Sequence, residues 1–395
     1  MNIAIIHEVS YFDKPVYEYQ DFAERLASKG HHIVVIDLDI DNPTKEESTT
    51  GSKTGMAEVK VYHTPYLNVP FLKYLSATSN FKRILKEVIR KHQIDKVLLY
   101  SVGTNVRSTL RVCKQFNIPV LYRVLDAYHK LHSNLIFQQI LRRQERYVFR
   151  NADFILTTNA VMKKYVAEIG SLSEMEMARV NVLLHGVDTS HFRLLPKDTQ
   201  AMAEYGIEKS DLIVLYLGTT YSFARLHQVL KKLAEYSSPS RRIKLMIVGG
   251  GPEDETIKGH AKAEGISELL IHTGMRAYDE LPALMSVADI AINSFALKDI
   301  TKDIIPIKVL QYLSAGIPTV STPLPDVIAN FPAESSGMLF SKNDNITNFC
   351  EEVKSLLDND PKRLSMQNMH IQFITAHFSI DKCISSLENH LTQLA

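Results

Sequence analysis

Short apolar strands alternate with amphipathic helices along this chain, and the alternating pattern runs twice. In the first half, Asn2–His7 and His32–Asp37 have the composition of strands and flank a helical stretch over Tyr19–Lys29. In the second half the pattern restarts with strands at Leu212–Gly218 and Lys244–Gly249. Strands separated by helices favour parallel sheets covered on both faces, so we predict an α/β chain with two doubly wound, Rossmann-like domains.

The predicted division between the domains lies in a polar segment over His191–Asp211 that contains Pro196. We expect an N-terminal domain over residues 1–195, a C-terminal domain over residues 196–375, and a final helical segment over residues 376–395. A length of 395 residues suits two domains of ordinary size. Open α/β sheets bind ligands at the carboxyl ends of their strands, so we expect the two domains to face each other across a ligand-binding cleft.

Charge and cysteine usage narrow the classes of function. Lys and Arg total 45 and Asp and Glu total 44, so no overall field attracts nucleic acid, and an anionic ligand requires a local site. The three cysteines are widely spaced, which indicates free thiols in a reducing compartment rather than disulfides or a metal site. The first residues do not form a basic, apolar leader, and no apolar run approaches about 18 residues, so we expect a cytoplasmic protein.

A basic stretch over Leu141–Arg150 is the candidate for contact with a membrane. Its four arginines could meet anionic lipid headgroups at the inner membrane face, in which case the attachment would be peripheral. The alternative is an ordinary solvated helix face.

The stretch with the strongest chemical signal is DIIPIKVLQYLSAGIPTVS, from Asp303 to Ser321. It predicts a loop that ends near Pro306, then a short helix that carries Lys308 and Gln311, then an apolar strand. A helix that starts after a proline-containing loop presents free N–H groups and a positive dipole end to an anion. An acidic residue, a lysine and an amide so close together could hold a phosphorylated, hydroxyl-rich ligand.

Glycine-containing turns follow two strands of the second half, whereas the first turn of the chain has none. The first strand leads into EVSYFDKPVYEY without a Gly-x-Gly-x-x-Gly pattern, which disfavours an NAD or FAD enzyme. In the second half, Gly218 and Thr219 follow one strand, and Gly251 closes a triple glycine after another. The amides of such turns could contact phosphate. An ordinary tight turn is the alternative for the triple glycine.

These segments together resemble the GT-B glycosyltransferases of the retaining family 4, the glycosyl transferases group 1. Asp303 and Gln311 stand at the two acidic positions of that family's donor signature, and VGGGP matches its Val-Gly-x-Gly-Pro segment. LLHGVDTSHF resembles its Asn-Gly-Val-Asp segment, with His185 in place of the asparagine. The resemblance covers most of the chain. It implies an N-terminal acceptor domain, a C-terminal nucleotide-sugar domain and a last helix that packs back on the first domain.

The resemblance also implies roles for single residues on the donor side. Asp303 would contact the transferred sugar, and Gln311 would bond the ribose without the charge of a carboxylate. The residues expected near the diphosphate are Gly218, Thr219, Arg225, Ile304, Ile305 and Lys308. The residues expected near the nucleotide base are Gly251, Met275 and Arg276. The alternatives are surface positions for Arg225 and Lys308, a core position for Met275 and a purely structural turn at Gly251.

On the acceptor side, the family has a His-Asp pair where this chain has Leu125 and Asp126. Asp126 therefore matches the family's aspartate, whereas the histidine that contacts the transferred sugar is absent. His129 or His132 would be its replacement, and we predict catalytic positions at Asp303, Asp126 and His129. An aspartate at a strand end is also an ordinary helix cap, which is the alternative for Asp126.

The resemblance implies transfer of a hexose, with retention of configuration, from a nucleoside-diphosphate sugar to a glycan, lipid-linked or small-molecule acceptor. The nucleotide sugar is then a co-substrate, and we expect no other cofactor. No residue spacing typical of a metal site occurs, so we expect no bound metal. Two alternatives stay open. One is a sugar-nucleotide epimerase or hydrolase on the same fold, and the other is a binding or regulatory subunit, which the departures at Leu125 and Gln311 would suit.

Overall fold

The computed structural model describes residues 1–13, 16, 18–38, 48–69, 72–100, 102–131 and 134–394. His132, one of the two candidate replacements for the missing histidine, lies outside them. The chain forms two compact units, one made of Met1–His185 with Cys383–Ala395 and the other of Gly186–Lys382.

The units divide after His185, whereas the sequence indicated a division after residue 195. The segment that follows His185 belongs to the second unit because Val187 bonds its backbone. The Val187 N–H donates to the Phe378 carbonyl at 2.8 Å, and the Val187 carbonyl accepts from the Ile380 N–H at 2.9 Å. The chain returns to the first unit at Cys383, within the last helix.

The first unit is built on one sheet, whose strands within the described ranges have the order β3-β4-β2-β1-β5-β6-β7-β8. The strands are β1 Asn2–His7, β2 His32–Asp37, β3 Ser48–Gly51, β4 Val59–His63, β5 Lys96–Leu99, β6 Val120–Val124, β7 Phe154–Thr157 and β8 Val180–Val182. Neighbouring strands are parallel except β3, which runs antiparallel to β4. The helices are α1 Glu18–Ser28, α2 Leu72–His92, α3 Val106–Gln115, α4 Leu135–Asn151 and α5 Ala160–Gly170.

Helices α2 to α5 cover one face of this sheet. They connect β4, β5, β6, β7 and β8 in turn, always in the same direction across the sheet. Right-handed crossovers place such helices on one face, and α1, which connects β1 to β2 in the opposite direction, on the other. Accordingly, α3 contacts both α2 and α4, and α4 contacts α5.

Helix α2 shows how the apolar pattern selects the buried face. Its buried side chains include Phe81, Ile84, Leu85, Val88 and Ile89, which recur at helical spacing and pack in the core beneath. The helix begins at Leu72, nine residues before Phe81. Its first two turns expose apolar side chains, so the apolar period that marks the rest of the helix is absent there.

The second unit has a parallel sheet with the strand order β11-β10-β9-β12-β13-β14 in the part of the chain that is described. The strands are β9 Leu212–Leu217, β10 Ile243–Val248, β11 Leu270–Gly274, β12 Ile290–Asn293, β13 Thr319–Ser321 and β14 Leu339–Phe340. The helices are α6 Thr199–Glu204, α7 Leu226–Tyr236, α8 Asp254–Ala263, α9 Leu281–Ser286, α10 Ile307–Ser314, α11 Pro325–Asn330, α12 Ala333–Ser336, α13 Ile346–Leu357 and α14 Asp360–His377. The last helix, α15 Ile380–Gln393, begins in this unit and belongs to the first unit from Cys383 onward. The predicted α/β class with two doubly wound domains is confirmed. No helix among the described residues is both long enough and apolar enough to cross a membrane.

Candidate active site

In the second unit the chain order reverses between the neighbouring strands β9 and β12. Open α/β sheets bind their ligands in the crevice outside the carboxyl ends of such a strand pair. Lys308, on α10, lies at this point between aromatic rings of the two strand ends. Its Nζ is 3.6 Å from the centroid of the Tyr216 ring and 4.4 Å from that of the Phe295 ring.

The Lys308 ammonium is buried, and within the described ranges no carboxylate pairs with it. Burial lowers its pKa well below the usual range of lysine. The two ring faces offer partial compensation through cation–π attraction. A buried cation with aromatic neighbours and no counter-ion has much to gain from an anionic ligand.

Glycine turns form the wall of this crevice. Gly218 has a φ of +118°, and a Cβ built on it would lie 3.6 Å from Lys308 Nζ. Gly249 has a φ of +136°, and its Cβ would lie 2.3 Å from the Gly218 carbonyl oxygen, so no side chain fits there. A Cβ on Gly251 would lie 2.8 Å from Thr219 Cγ2. The predicted residues Gly218, Thr219 and Gly251 are therefore neighbours, and their backbone leaves room for a close approach.

The loop before α10 supplies the acidic and apolar residues that the sequence singled out. Asp303 and Ile304 are half-buried, and Ile305 is buried. Helix α10 begins after Pro306 without a side-chain cap, so its first N–H groups lack intrahelical partners. Gln311 is half-buried one turn beyond Lys308, and residues three apart are neighbours on a helix surface. The Lys308 ammonium, the Gln311 amide and the start of α10 thus lie along one short segment.

Arg225 is committed to contacts inside the unit. Its Nε donates to the Ser294 carbonyl at 3.1 Å and its Nη1 to the Asp344 carbonyl at 2.7 Å. Its Nη2 lies 2.9 Å from Asp344 Oδ1 but is not aligned for a hydrogen bond. The predicted role of Arg225 at the diphosphate stays a prediction. The structure shows this guanidinium joining loops after β12 and β14, which leaves Lys308 as the more available cation.

The residues expected near the base follow β11. Met275 is 68% exposed, so it does not belong to the core. The Arg276 guanidinium contacts Tyr205 and lies 3.0 Å from Glu204 Oε1, so it is directed to a neighbouring helix. The resemblance to the family implies that the backbone of Met275 and Arg276 meets the edge of the base, and this stays a prediction.

On the first unit, His129 lies on a short 3₁₀ turn after β6 and is held by buried partners. Its Nδ1 is 2.7 Å from Glu145 Oε2 and 3.0 Å from the Tyr165 hydroxyl, and its ring stacks on Tyr165. Glu145 is fully buried on α4, and its Oε1 has no hydrogen-bond partner among the described residues. Because Nδ1 is engaged, Nε2 is the nitrogen left for a ligand.

Asp126 follows the same strand. Its side chain reaches solvent, but the protein atoms around the carboxyl still desolvate it and raise its pKa, which nearby His185 opposes. Asp126 and His129 therefore share the carboxyl edge of the first sheet at the end of β6. The described contacts place no hydrogen bond between the two.

Sequence reasoning missed Glu8, which lies where the first sheet changes direction, between β1 and β5. Its carboxylate accepts from the backbone N–H groups of Gly103 at 3.0 Å and Asn105 at 2.9 Å, at the start of α3. Burial raises the pKa of Glu8 against the opposing effect of these bonds. Asn105 is fully buried, and neither polar atom of its side chain has a partner in the described structure. The acidic residue directly after the first strand was the available signal.

A buried ion pair was also missed. Arg123, fully buried on β6, binds Glu18 of α1 through two bonds of 2.7 and 2.8 Å and donates to the carbonyls of Thr157 and Leu183. His185 Nδ1 lies 2.8 Å from Glu18 Oε2. Burial alone would raise the pKa of Glu18, but Arg123 and His185 outweigh it and hold that pKa far below its usual range. An arginine inside the apolar strand VLYRV was the signal.

The described residues contain no group of three or more His, Cys, Asp or Glu side chains arranged to hold a metal ion. The three cysteines, Cys113, Cys350 and Cys383, are free and buried.

Two family descriptions match successive parts of the chain. Residues 19–191 match Glycosyltransferase Family 4, and residues 197–372 match Glycosyl transferases group 1. The chain is 21% identical over 151 residues to the 2-deoxystreptamine glucosyltransferase of Streptomyces kanamyceticus, covering 38% of each chain. It is 24% identical over 193 residues to the N-acetyl-alpha-D-glucosaminyl L-malate synthase of Bacillus anthracis, covering 48% of each chain. The chain thus spans less than half the length of these curated relatives.

Solved structures match over the full length. Sucrose-phosphate synthase from Thermosynechococcus elongatus superimposes with a TM-score of 0.77 at 14% identity, covering 100% of this chain and 98% of that one. HepE of Anabaena in complex with UDP superimposes with a TM-score of 0.74 at 12% identity, covering 100% of both chains. A complex of HepE with UDP-glucose gives a TM-score of 0.74 at 11% identity, again covering 100% of both. Because the sequence identities are this low, the structural similarity establishes the fold alone.

Proposed function

Because this chain belongs to the GT-B glycosyltransferases of the family 4 type, we propose that it transfers a hexose from a nucleoside-diphosphate sugar to an acceptor hydroxyl with retention of configuration. The observation that carries the donor part is Lys308, a buried ammonium beneath the Gly218 turn that has no carboxylate partner among the described residues. A diphosphate supplies the missing negative charge at a place where ligands of such sheets bind. HepE, a structural neighbour, binds UDP and UDP-glucose, which makes these the first probes.

The proposed reaction depends mainly on electrostatic stabilisation of the departing diphosphate. When the bond between the sugar and the diphosphate breaks, the electron pair leaves with the diphosphate. Lys308 and the first N–H groups of α10 then stabilise the growing charge. The acceptor oxygen bonds to the sugar carbon on the face from which the diphosphate departs, and its proton passes to the leaving phosphate. Asp303 orients the sugar in this scheme, and a metal ion is not required.

For the acceptor side we propose that His129 takes the place of the histidine that the family has at Leu125. Glu145 fixes the ring through Nδ1, so Nε2 can bond a hydroxyl of the sugar or of the acceptor. Asp126 at the same strand end supplies a second polar contact. The acceptor is a glycan, a lipid-linked sugar or a small molecule that bears a free hydroxyl. The three free, buried cysteines support a cytoplasmic setting for the reaction.

The direct test incubates the purified chain with UDP-glucose and a panel of hydroxyl acceptors and follows the anomeric signals of donor and product by NMR. We expect an α-linked product from the α-linked donor, with turnover that a chelator leaves intact. A β-linked product would contradict retention, and loss of turnover with the chelator that manganese restores would contradict metal independence. Release of free glucose without an acceptor product would identify a hydrolase instead.

A binding or regulatory subunit is the second candidate, because Gln311 and Leu125 replace residues that the family uses at donor and sugar. Such a subunit would bind UDP without turning over any sugar nucleotide. Thermal-shift measurements with a panel of nucleoside diphosphates detect the binding, since a ligand of the folded state raises its apparent stability. Binding with no turnover across the donor and acceptor panels would favour this candidate.

We expect the Gln311→Glu substitution to leave donor affinity unchanged or to raise it. A carboxylate accepts hydrogen bonds from two ribose hydroxyls, whereas an amide has one acceptor oxygen. Calorimetric titration of wild type and variant with UDP measures the difference. The control is Gln228→Glu, on α7 of the same unit. If Gln311 instead donates to the donor, the variant will bind about 1–3 kcal/mol more weakly, which would contradict the proposed ribose contact.

The His129→Ala substitution should lower kcat/KM by about tenfold or more, the effect of losing one strong hydrogen bond. Glu145→Gln keeps the shape of the residue that holds His129 but removes its charge, so it should change the pH profile of kcat/KM. His260→Ala, an exposed histidine of the second unit, is the matched control. Wild-type kinetics in the His129 variant would remove this residue from the proposed site.

A further inference from the structure

Helices α2, α3 and α4 lie side by side on one face of the first sheet, and their outer surface is strongly basic. α2 carries six Lys or Arg residues, α3 three and α4 four, whereas their acidic residues are Glu87 and Glu145. Glu87 is exposed beside Arg83, and Glu145 is fully buried. We call this surface the basic face. Its exposed and half-exposed basic residues are Lys73, Lys82, Arg83, Lys86, Arg90, Lys91, Arg107, Arg111, Lys114, Arg142, Arg143, Arg146 and Arg150.

Large apolar side chains stand exposed where two of these helices begin. Ten of the 21 exposed large apolar residues among the described residues fall within residues 67–75 and 131–140. We call them the apolar rim: Leu67, Val69, Leu72, Tyr74, Leu75, Leu131, Leu135, Ile136, Phe137 and Ile140, between 40% and 75% exposed. The two segments follow the parallel strands β4 and β6, so both emerge at the carboxyl edge of the sheet, on the face that α2 to α4 cover.

The basic face and the apolar rim together indicate which kind of partner binds this surface. Single exposed apolar residues are ordinary, but clusters of this kind mark surfaces that are covered in function. A nucleic acid would use the basic residues and leave the apolar rim in water. An interfacial protein segment, in contrast, inserts apolar side chains between lipids and keeps Lys and Arg at the headgroups. The net charge of the whole chain is only +1, so the positive charge is concentrated on this face rather than spread over the surface.

We propose that the basic face and the apolar rim dock the protein on the surface of a bilayer rich in anionic phospholipid. The arginines and lysines contact the headgroups, and the rim inserts its leucine, isoleucine and phenylalanine side chains at the acyl boundary. Docking at this edge brings Asp126 and His129, at the end of β6, to the side of the unit that meets the lipid. Membrane docking does not depend on the proposed glycosyl transfer, and its test needs no donor or acceptor.

The test measures co-flotation of the full chain with vesicles of phosphatidylcholine alone and of equal parts phosphatidylcholine and phosphatidylglycerol. We expect at least tenfold stronger partition onto the anionic vesicles. Raising the ionic strength from about 0.1 M to about 1 M should weaken it, because the Debye length falls from about 10 Å to about 3 Å. Equal partition onto both kinds of vesicle, or no partition onto either, would overturn the proposal.

Two double variants separate the contributions of the surface. Leu135→Ser with Ile136→Ser, each 75% exposed in wild type, should lower partition at least tenfold without changing the thermal unfolding midpoint. Arg142→Gln with Arg143→Gln should lower it on anionic vesicles only. Met175→Ser with Leu364→Ser, exposed apolar residues outside the rim, is the matched control and should bind like wild type. Wild-type partition in both test variants would overturn the assignment of this surface. So would loss of a copurifying protein in the same variants without any vesicle binding.

Discussion

The Lys308→Met substitution is expected to lower kcat/KM for the nucleotide sugar by roughly ten- to 150-fold while leaving the folded chain as stable as wild type or more stable. One charge-assisted contact is worth about 1.5–3 kcal/mol, and methionine keeps the length of the side chain without its charge. The wild-type ammonium is buried and has no carboxylate partner in the part of the chain that the structure describes, so its removal abolishes a desolvation cost. Lower activity together with undiminished stability is typical of a residue retained for ligand binding.

Donor binding should also take up a proton through Lys308. Burial holds the pKa of the free lysine low, and a bound diphosphate raises it by supplying the missing charge. At pH values between the free and bound pKa, each binding event therefore protonates the amine. Calorimetric titration with UDP in buffers of different ionisation enthalpy measures this uptake, which should vanish in the Lys308→Met variant.

The matched control for both measurements is Lys298→Met, an exposed lysine of the loop between β12 and α10. It should leave kcat/KM, affinity and proton uptake unchanged. If Lys308→Met retained wild-type kcat/KM and wild-type affinity for UDP, the diphosphate would not lie at the carboxyl end of β9. The proposed donor site would then have to be abandoned.

Lys308 and Arg225 illustrate which parts of the proposed donor site the sequence alone can predict and which parts it cannot. The proline loop and the helix start of DIIPIKVLQ predict an anion-binding segment, because this prediction depends only on local backbone chemistry. The partners of Arg225, Ser294 and Asp344, are 69 and 119 residues away along the chain, so only the fold shows that this guanidinium is engaged. Similarly, the bond between His129 and Glu145 joins a loop to a helix, and local patterns do not encode it.

Elements of the fold can be predicted from the sequence where apolar residues recur at regular spacing. Elements in which that spacing is weak cannot. The parallel strands and the buried stripe of α2 follow directly from such periods. The short antiparallel strand β3, at Ser48–Gly51, is polar, so no apolar period marks it as a strand. β4 at Val59–His63 is only five residues long and contains a lysine, and its pairing with β2 and β3 defines it as a strand more clearly than its short sequence does.

The second large effect concerns stability and the buried pair of Glu18 and Arg123. Glu18→Ala should lower the free energy of unfolding by about 3–5 kcal/mol, because it leaves a fully buried guanidinium without its carboxylate. Denaturant unfolding followed by circular dichroism measures the shift, and where the units unfold separately only the transition of the first unit should move. The double variant Glu18→Leu with Arg123→Met removes both charges and should recover most of the loss. A loss in the double variant as large as in the single one would show that the pair is not energetically coupled.

Because of this ion pair, we expect the unfolding free energy of the first unit to fall as the pH is lowered into the acid range. Arg123 and His185 hold the pKa of Glu18 far below its usual range in the folded state, whereas the unfolded chain protonates this residue near its ordinary pKa of about 4.3. The unfolded state therefore takes up the proton first, so the contribution of Glu18 is fully present above that pKa and is lost as the pH falls below it. Glu18→Gln lacks this carboxylate, so its unfolding free energy should fall less steeply than that of wild type below about pH 4. Asp381→Asn, an acidic residue of the second unit at the start of α15, is the control and should keep the wild-type slope in the first unit's transition. Identical acid limbs in wild type and Glu18→Gln would mean that Glu18 is not ionised in the folded protein, and the proposed ion pair with Arg123 would be wrong.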